Sequence, residues 1–389
     1  MKRHAMLVAG VMSGTSADGV DVALVRIAPG RRTPQIALVA HEHFAYPAAL
    51  RRAVLAAMNA KAIATAELAR LQWRLGIAYA EAVAATAKKH AAKVELIGCH
   101  GQTLYHQPAR TAYAGRRFAC TWQAGEMATL AAALGAPVVS NFRPADVAVG
   151  GEGAPLVPLL DYALYADASR GRVLQNVGGI ANLTAIPAGA GQDAVMAFDT
   201  GPGNMVMDAL AEKLLGKPFD RNGAVAARGA VLEPVLSRML KQPYFRKSPP
   251  KTAGREQFGR EYAAAFLAAC RKMSREPEDA LATATALTAA TIGGAYARFV
   301  RRTMGRGPVD FIVSGGGARN ATLMRMLASL LEPMGCTLAA SEEYGMPAEA
   351  KEAAAFALLA WQTWHHLPGN VRAATGAARP AILGQVTYV

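Results

Sequence analysis

Apolar residues along this chain gather into short β-branched runs closed by glycine, and these runs alternate with longer stretches of helical periodicity. The runs predict strands near 6–12, 21–27, 35–40, 94–99, 136–140, 172–177, 181–186, 194–199, 309–314 and 335–340. The helical stretches fall near 47–59, 64–91, 123–134, 155–166, 204–215, 230–241, 260–274, 278–304, 319–332 and 347–366. Strands and helices taking turns in this way predict an α/β protein. A coarse repeat runs through the pattern. Residues 6–27 and 173–186 each read as strand, Gly-rich polar turn, strand, and each is followed by an apolar strand ending in a polar turn, 94–102 and 194–201. Two related lobes would leave that trace. The uncharged stretch 280–297 nears the lower length for a membrane span, yet it is mostly Ala, Thr and Gly, which predicts a buried helix.

A chain of 389 residues exceeds what one hydrophobic core usually organises, so two domains are expected. The predicted division is 1–140 plus 372–389 against 141–371, with regular structure broken at Asn141-Phe-Arg-Pro and Gly150-Gly-Glu-Gly-Ala-Pro155. Hydrophobic residues at 52% and charged residues at 18% exclude a mainly disordered chain. The 42 Lys+Arg against 28 Asp+Glu give +14, but the charges are scattered, the basic runs are short and no aromatic-interleaved basic stripe occurs. Neither a nucleic acid nor a membrane is the expected partner; a positive field suits small anionic ligands. Four cysteines, Cys99, Cys120, Cys270 and Cys336, stand far apart beside apolar runs and form no C-x-x-C pair, which predicts reduced thiols and a cytoplasmic protein. The start Lys2-Arg3-His4 mimics a signal peptide, but the apolar stretch after it is short and lacks a cleavage site, so it reads as the first strand.

Candidate chemistry concentrates in the Gly-rich turns. Residues Gly14, Thr15, Ser16, Ala17, Asp18, Gly19, Val20 and Asp21 form a loop with G-x4-G spacing, yet Val20-Asp21 stands where a P-loop needs Lys-Ser/Thr, and a strand follows rather than a helix. It reads as the tip of a β-hairpin, either a plain turn or a phosphate cradle. Asn176-Val-Gly-Gly-Ile-Ala-Asn182 and Phe198-Asp-Thr-Gly-Pro-Gly-Asn204 form a second such region, with Gly178, Gly179, Asn182, Gly201 and Gly203 as candidate nucleotide contacts. Asp199 ends an apolar strand beside a turn expected to expose helix N–H groups, which suits a general base next to an anion site; the bland alternative is a helix cap. Ser314-Gly-Gly-Gly-Ala-Arg-Asn320, with Gly315, Gly316 and Gly317, permits close approach of a flat or phosphorylated ligand. His100 and His106 lie too far apart, with no third ligand, for a zinc site, and the strand end around His100 reads as the lining of a sugar pocket or a structural turn. Arg143 suits either a substrate carboxylate or an interdomain salt bridge. Glu349 and Glu352 near the start of the last long helix are read first as partners of its dipole. The basic loop 246–256 reads equally as a mobile lid or a solvated connection.

Taken in order, Gly10-Val-Met-Ser-Gly-Thr-Ser-Ala-Asp-Gly-Val-Asp21, Gly98-Cys-His-Gly-Gln-Thr103, Gly150 to Pro158, Asn176 to Leu183, Phe198 to Asn204, Gly254-Arg-Glu256 and Gly315 to Asn320 make the chain resemble the anhydro-N-acetylmuramic acid kinases. That family lies within the actin, sugar-kinase and heat-shock-chaperone (ASKHA) superfamily. The resemblance implies a two-lobed actin-like ATPase fold, with related mixed β-sheets flanked by helices and the active site in a cleft between lobes that closes on ligand. It implies ATP and Mg²⁺ as cofactors, and peptidoglycan recycling as the setting. The reaction implied is attack of water on the anomeric carbon of 1,6-anhydro-N-acetylmuramic acid, opening of the bridge, and transfer of the γ-phosphoryl to the freed 6-oxygen. Asp199 then matches the base that activates the water. Gly14 to Asp21 match the phosphate loop, with Asp18 and Asp21 holding Mg²⁺ directly or through water. His100, Arg143, Asn204 and Glu352 match sugar contacts, Gly315 to Gly317 back the adenosine, and Asn320 joins the nucleotide contacts. A homodimer follows from the family alone. Departures from the family pattern are Asn141 for an Asp, Glu152 for a Gln, and Trp122-Gln-Ala-Gly-Glu126 where a shorter apolar residue and Gly-Asp are common. Two other readings compete: an ordinary sugar kinase that consumes no water, and an actin-like nucleotide switch, which would need ATP turnover indifferent to sugar.

Overall fold

The computed structural model describes residues 4–58, 60–340 and 346–389. It divides the chain into two compact units, Met1–Leu164 with Met346–Val389, and Tyr165–Gly345. Segments 141–164 and 346–371, grouped with the second lobe in the sequence reading, pack with the first unit instead.

The first unit is built on strands β1 (Met6–Ser13), β2 (Gly19–Ala28), β3 (Gln35–Ala45), β4 (Leu96–Tyr113), β5 (Arg116–Ala124), β6 (Val138–Ser140) and β12 (Gln385–Thr387). Their order is β12-β6-β4-β1-β2-β3, with β5 paired to β4. Strands β1, β2 and β3 form an antiparallel meander, and β4 and β6 continue the sheet in parallel with β1. The second unit holds β7 (Gly171–Val177), β8 (Ile180–Ile186), β9 (Met196–Pro202), β10 (Val309–Ser314) and β11 (Cys336–Ala340) in the order β11-β10-β7-β8-β9. Here too an antiparallel meander, β7-β8-β9, is followed by two strands parallel to its first member. The two sheets share strand order and strand sense. The symmetry faint in the sequence is therefore a repeat of architecture, and each unit carries related mixed sheets flanked by helices.

The sequence explains why the helix Ala348–Trp364 belongs to the first unit. Its middle, Ala353, Ala354, Ala355, Phe356, Ala357, Leu358, Leu359, Ala360 and Trp361, is fully buried. Small side chains bring its backbone down on two strand glycines. A Cβ at Gly10 in β1 would drive into the Ala353 carbonyl, and one at Gly98 in β4 into that of Phe356. The helix Thr65–Lys89 adds Leu71, Leu75, Tyr79 and Val83 to the core of the same unit. In the second unit the helix Pro277–Ala295 is buried almost all round, as its Ala and Thr content predicts. Across Pro277–Val300, 83% of the most apolar window lies inside the protein, which makes it a core helix. Its Thr285 and Thr283 hydroxyls return to the carbonyls of Leu281 and Asp279, so the buried polar groups are satisfied.

The main misreading lies between 100 and 126. Strand β4 runs on to Tyr113 and turns back as β5, and the helix expected from 123 begins at Met127, capped by the Glu126 side chain at 3.1 Å from the Ala128 N–H. The two-residue turn Ala114-Gly115 has positive φ at both positions (46° and 77°), the type I′ geometry of a tight hairpin. Asn-Gly or Asp-Gly announces that turn; Ala-Gly does not, so the hairpin left no signal.

Candidate active site

In the first unit the β1–β2 turn is the hairpin tip expected, and it is held from below. The Tyr46 hydroxyl donates to Ser13 Oγ (2.8 Å), Ser13 donates to Gln102 Oε1 (2.6 Å), and Gln102 Nε2 donates to the Gly14 carbonyl (3.1 Å). Ser13 and Gln102 are buried, whereas Thr15, Ser16 and Asp18 stand in solvent. Ala17 and Val20 are buried beneath the turn, and Ala17 N–H closes it on the Gly14 carbonyl at 3.1 Å. The arrangement leaves hydroxyls and a carboxylate on a rigid rim, with Ser16 Oγ donating to Asp18 Oδ1 (2.9 Å). Gln102, in β4, and Tyr46 escaped the sequence reading. Gln102 was legible only as a polar residue within a buried strand.

Asp21 lies three residues into β2. His41 Nε2 and His43 Nδ1 both approach its Oδ1 at 3.1 Å. Burial pushes its pKa up, but hydrogen bonds from the two imidazoles outweigh that and hold the carboxyl below the usual range. Among the described residues no three His, Cys, Asp or Glu side chains come together as a metal centre. Asp18 and Asp21 offer hard oxygen donors, which fits Mg²⁺ held by one or two carboxylates together with phosphate and water.

The candidate sugar contacts of this unit converge around β4. Burial, then the charge of Arg143, drives the His100 pKa well below its ordinary value. Neutral His100 is fixed by Nδ1 against the Gly101 carbonyl (2.7 Å), and its Nε2 accepts from Arg143 Nε (2.9 Å). Its ring also meets Phe356 at 4.6 Å between centroids. Arg143 Nη1 donates to the Gly153 carbonyl (2.8 Å). Burial lowers its pKa to about 10, opposed by the charges of Glu352 and Asp146, so it stays cationic at neutral pH. The Glu352 side chain reaches solvent, yet the atoms around it push its carboxyl up, opposed by Arg143. Arg143 therefore joins the His100 and Glu352 set.

Asp146, unnoticed in the sequence, organises the loop beneath that set. It is fully buried, accepts from Asn370 Nδ2 (3.0 Å) and Thr375 Oγ1 (2.9 Å) on Oδ1, and accepts from the Gly153 N–H (2.8 Å) on Oδ2. Of the departures, Asn141 takes a left-handed backbone (φ 56°) ahead of the helix Phe142–Ala148, and the Glu152 N–H donates to the Thr375 carbonyl (2.7 Å).

In the second unit Asp199 sits in β9, paired in register with Asn182 of β8. Its main chain is held on both sides: the Asp199 N–H donates to the Lys251 carbonyl (3.1 Å) and the Tyr244 hydroxyl to the Asp199 carbonyl (2.8 Å). The Ala253 N–H donates to Oδ2 at 2.7 Å. Burial raises the carboxyl pKa to about 6, against the pull of that N–H and of the Lys251 charge. Residues 244–253 thus fold over Asp199. The basic loop that composition left undecided is the wall of this site, and Tyr244, Lys251 and Ala253 are site residues that sequence reasoning missed.

The glycine-rich turns meet in the same unit. The carbonyls of Gly178 and Gly179 accept the N–H groups of Asn204 (2.7 Å), Gly203 (2.9 Å) and Met205 (3.2 Å), so the start of the helix Asn204–Leu215 is engaged within the protein and is not the exposed donor cluster expected. Gly201 and Gly203 are buried against Phe245, Thr291 and the Gly178 carbonyl, so packing explains their lack of a side chain. Gly179 and Gly316 are exposed, while Gly178 and Gly315 are partly so. Asn204, expected at the sugar, lies against Gly316 and Gly317 and donates to the Val177 carbonyl (3.1 Å). Asn320, expected at the nucleotide, caps the helix Ala321–Leu331 by accepting from Thr322 (3.1 Å) and Leu323 (3.0 Å).

These two constellations are accompanied by similarity to known proteins. The model of the family described as anhydro-N-acetylmuramic acid kinase matches residues 6–389. A protein named anhydro-N-acetylmuramic acid kinase from Salinibacter ruber is 43% identical over 389 residues, covering 99% of this chain and 97% of its own. One of the same name from Bacillus cereus is 41% identical over 386 residues, covering 98% and 99%. Among solved structures, a ROK hexokinase from Thermus thermophilus aligns with 90% of this chain and 98% of its own at 14% identity, with a TM-score of 0.40. On the full-length match to the family model and to these relatives, the chain belongs to the anhydro-N-acetylmuramic acid kinase family.

Proposed function

We propose that this protein opens 1,6-anhydro-N-acetylmuramic acid with water and phosphorylates the freed 6-oxygen from ATP, giving N-acetylmuramic acid 6-phosphate for cell-wall recycling in the cytoplasm. The observation that carries the reading is Asp199: a half-buried carboxylate, fixed through Oδ2, with a pKa near 6. Such a group is ionised at neutral pH and still basic enough to take a proton in the transition state.

The step balances without a covalent enzyme intermediate. The water oxygen bonds to the anomeric carbon, its proton passes to Asp199, and the bond from that carbon to the 6-oxygen breaks. The 6-oxygen then bonds to the γ-phosphorus as the bond to the ADP oxygen breaks. Positioning and charge neutralisation dominate such a transfer. The rim Gly14 to Asp21 would hold the phosphates. Asp18 and Asp21 would hold Mg²⁺, directly or through water, and the ion would neutralise triphosphate charge. Gly178, Gly179 and Gly315 to Gly317 would take the nucleoside side. Arg143, kept cationic and aimed by His100, would bind the acid group of the muramic sugar, and Glu352 its hydroxyls. A homodimer is the expected assembly, to be checked by its elution volume.

Mass spectrometry of the product formed with the anhydro-sugar, ATP and Mg²⁺ in heavy-oxygen water tests the reaction. The expected product gains one phosphoryl group and one water, with the label on the anomeric carbon. A phosphorylated sugar without label would leave an ordinary sugar kinase; ATP turnover indifferent to sugar would leave a nucleotide switch.

A further inference from the structure

Lys251 is 2% exposed, whereas Arg246 and Lys247 of the same loop face solvent. Its Nζ lies 4.8 Å from the centroid of Tyr244, 5.0 Å from that of Phe299 and 5.6 Å from that of Phe198, the residue before Asp199. It also donates to the Tyr244 carbonyl at 3.3 Å. A cation over three aromatic faces is attracted to each, and the cage substitutes for part of the water it has lost. The backbone around this lysine makes the contacts that orient Asp199: the Lys251 carbonyl accepts the Asp199 N–H, and two residues on the Ala253 N–H reaches Oδ2.

We infer that Lys251 is a positioning residue for proton abstraction: its caged side chain bolts the segment 244–253 onto β9, and its buried charge keeps the Asp199 carboxylate ionised and oriented. Burial alone would favour a protonated Asp199, which could not act as a base. The lysine and the Ala253 N–H are the groups that oppose it. Burial, then Arg298 and Lys247, lowers the pKa of Lys251 to about 8, and Asp199 opposes that shift. The charged and titratable groups facing the pair are Asp199 on β9, Tyr244 and Lys247 on the covering segment, and Arg298 after the core helix. Carboxylate and ammonium coexist between about pH 6 and about 8.

This inference rests on Asp199 being the base, and the test separates the two. The pH profile of kcat/KM for the anhydro-sugar is measured for the wild type, Lys251→Met, Lys251→Gln, Lys251→Arg and Asp199→Asn, with thermal melts alongside. In Lys251→Met and Lys251→Gln the acid limb moves up by about one pH unit, so that activity at pH 6 falls about fivefold more than activity at pH 8.5. Lys251→Gln keeps a donor for the Tyr244 carbonyl and carries the test should Lys251→Met not fold. Lys251→Arg restores the limb. An unmoved limb in both neutral variants, or a loss equal at every pH that follows the fall in melting temperature, overturns the role of Lys251. Full activity in Asp199→Asn would instead overturn the assignment of the base.

Discussion

Two carboxylates on equivalent scaffolds meet opposite fates. Asp21 is in the second strand of the first unit's meander and Asp199 in the third strand of the second unit's, each beside a glycine-rich turn. Two imidazoles donate to Asp21 and hold its pKa below the usual range; a covering segment and few donors leave Asp199 raised to about 6. Repeated in the two units, the meander therefore supplies one acid that stays charged and one poised to accept a proton. Pairs of carboxyls pushed apart in this way divide electrostatic work from proton transfer, and the division is made by neighbours rather than by the sheet.

The largest expected effect is on turnover. Asp199→Asn keeps an acceptor for the Ala253 N–H but removes the base, and kcat should fall by roughly 10² to 10⁴. Single-turnover phosphoryl transfer checks this; a fall under about threefold would break the contrast at its catalytic end. Asp146→Ala, which removes the acceptor shared by three buried donors beneath the Arg143 set, should lower stability by about 3 kcal/mol in urea unfolding. A loss below about 1 kcal/mol would mean that the loop is held otherwise.

Smaller effects test the signs. The folded state holds the Asp199 proton more tightly than the unfolded chain, so its stabilising contribution is full below pH 3.8 and is lost as pH rises through about 6. Asp199→Asn should therefore be more stable than the wild type at pH 8, by up to about 3 kcal/mol, and the gap should close below pH 4. Asp21 runs the other way. Its contribution is present above pH 3.8 and lost as pH falls through its lowered pKa, so Asp21→Asn should be less stable at pH 7. With Asp21 30% exposed and His43 45% exposed, the loss should be only about 0.5 kcal/mol. Paired melts at pH 4 and pH 8 read both signs; equal signs would erase the distinction.

How much of this was legible in the sequence depends on how local each cause is. The β1–β2 tip, the repeated strand-turn-strand segments, the buried helix Pro277–Ala295 and Asp199 at a strand end all follow from patterns a few residues long. The engaged start of the helix Asn204–Leu215 does not, because the carbonyls that fill it come from Gly178 and Gly179, some 25 residues earlier. Nor does Lys251. A lysine among Arg246, Lys247, Pro249 and Pro250 looks solvated, and the rings that bury it come from positions 198, 244 and 299. Asp146 has the same history: its partners Asn370 and Thr375 are more than two hundred residues away. Loop residues whose roles are set by distant neighbours carry no periodic trace.

Burial behind the segment 244–253 turns Asp199 into a base suited to neutral pH. Carbon-13 titration of its carboxyl group, assigned by the resonance lost in Asp199→Asn, tests this without relying on turnover. A midpoint near pH 6 is expected. A midpoint near 4, that of an ordinary aspartate, would mean that the covering segment leaves the carboxyl untuned.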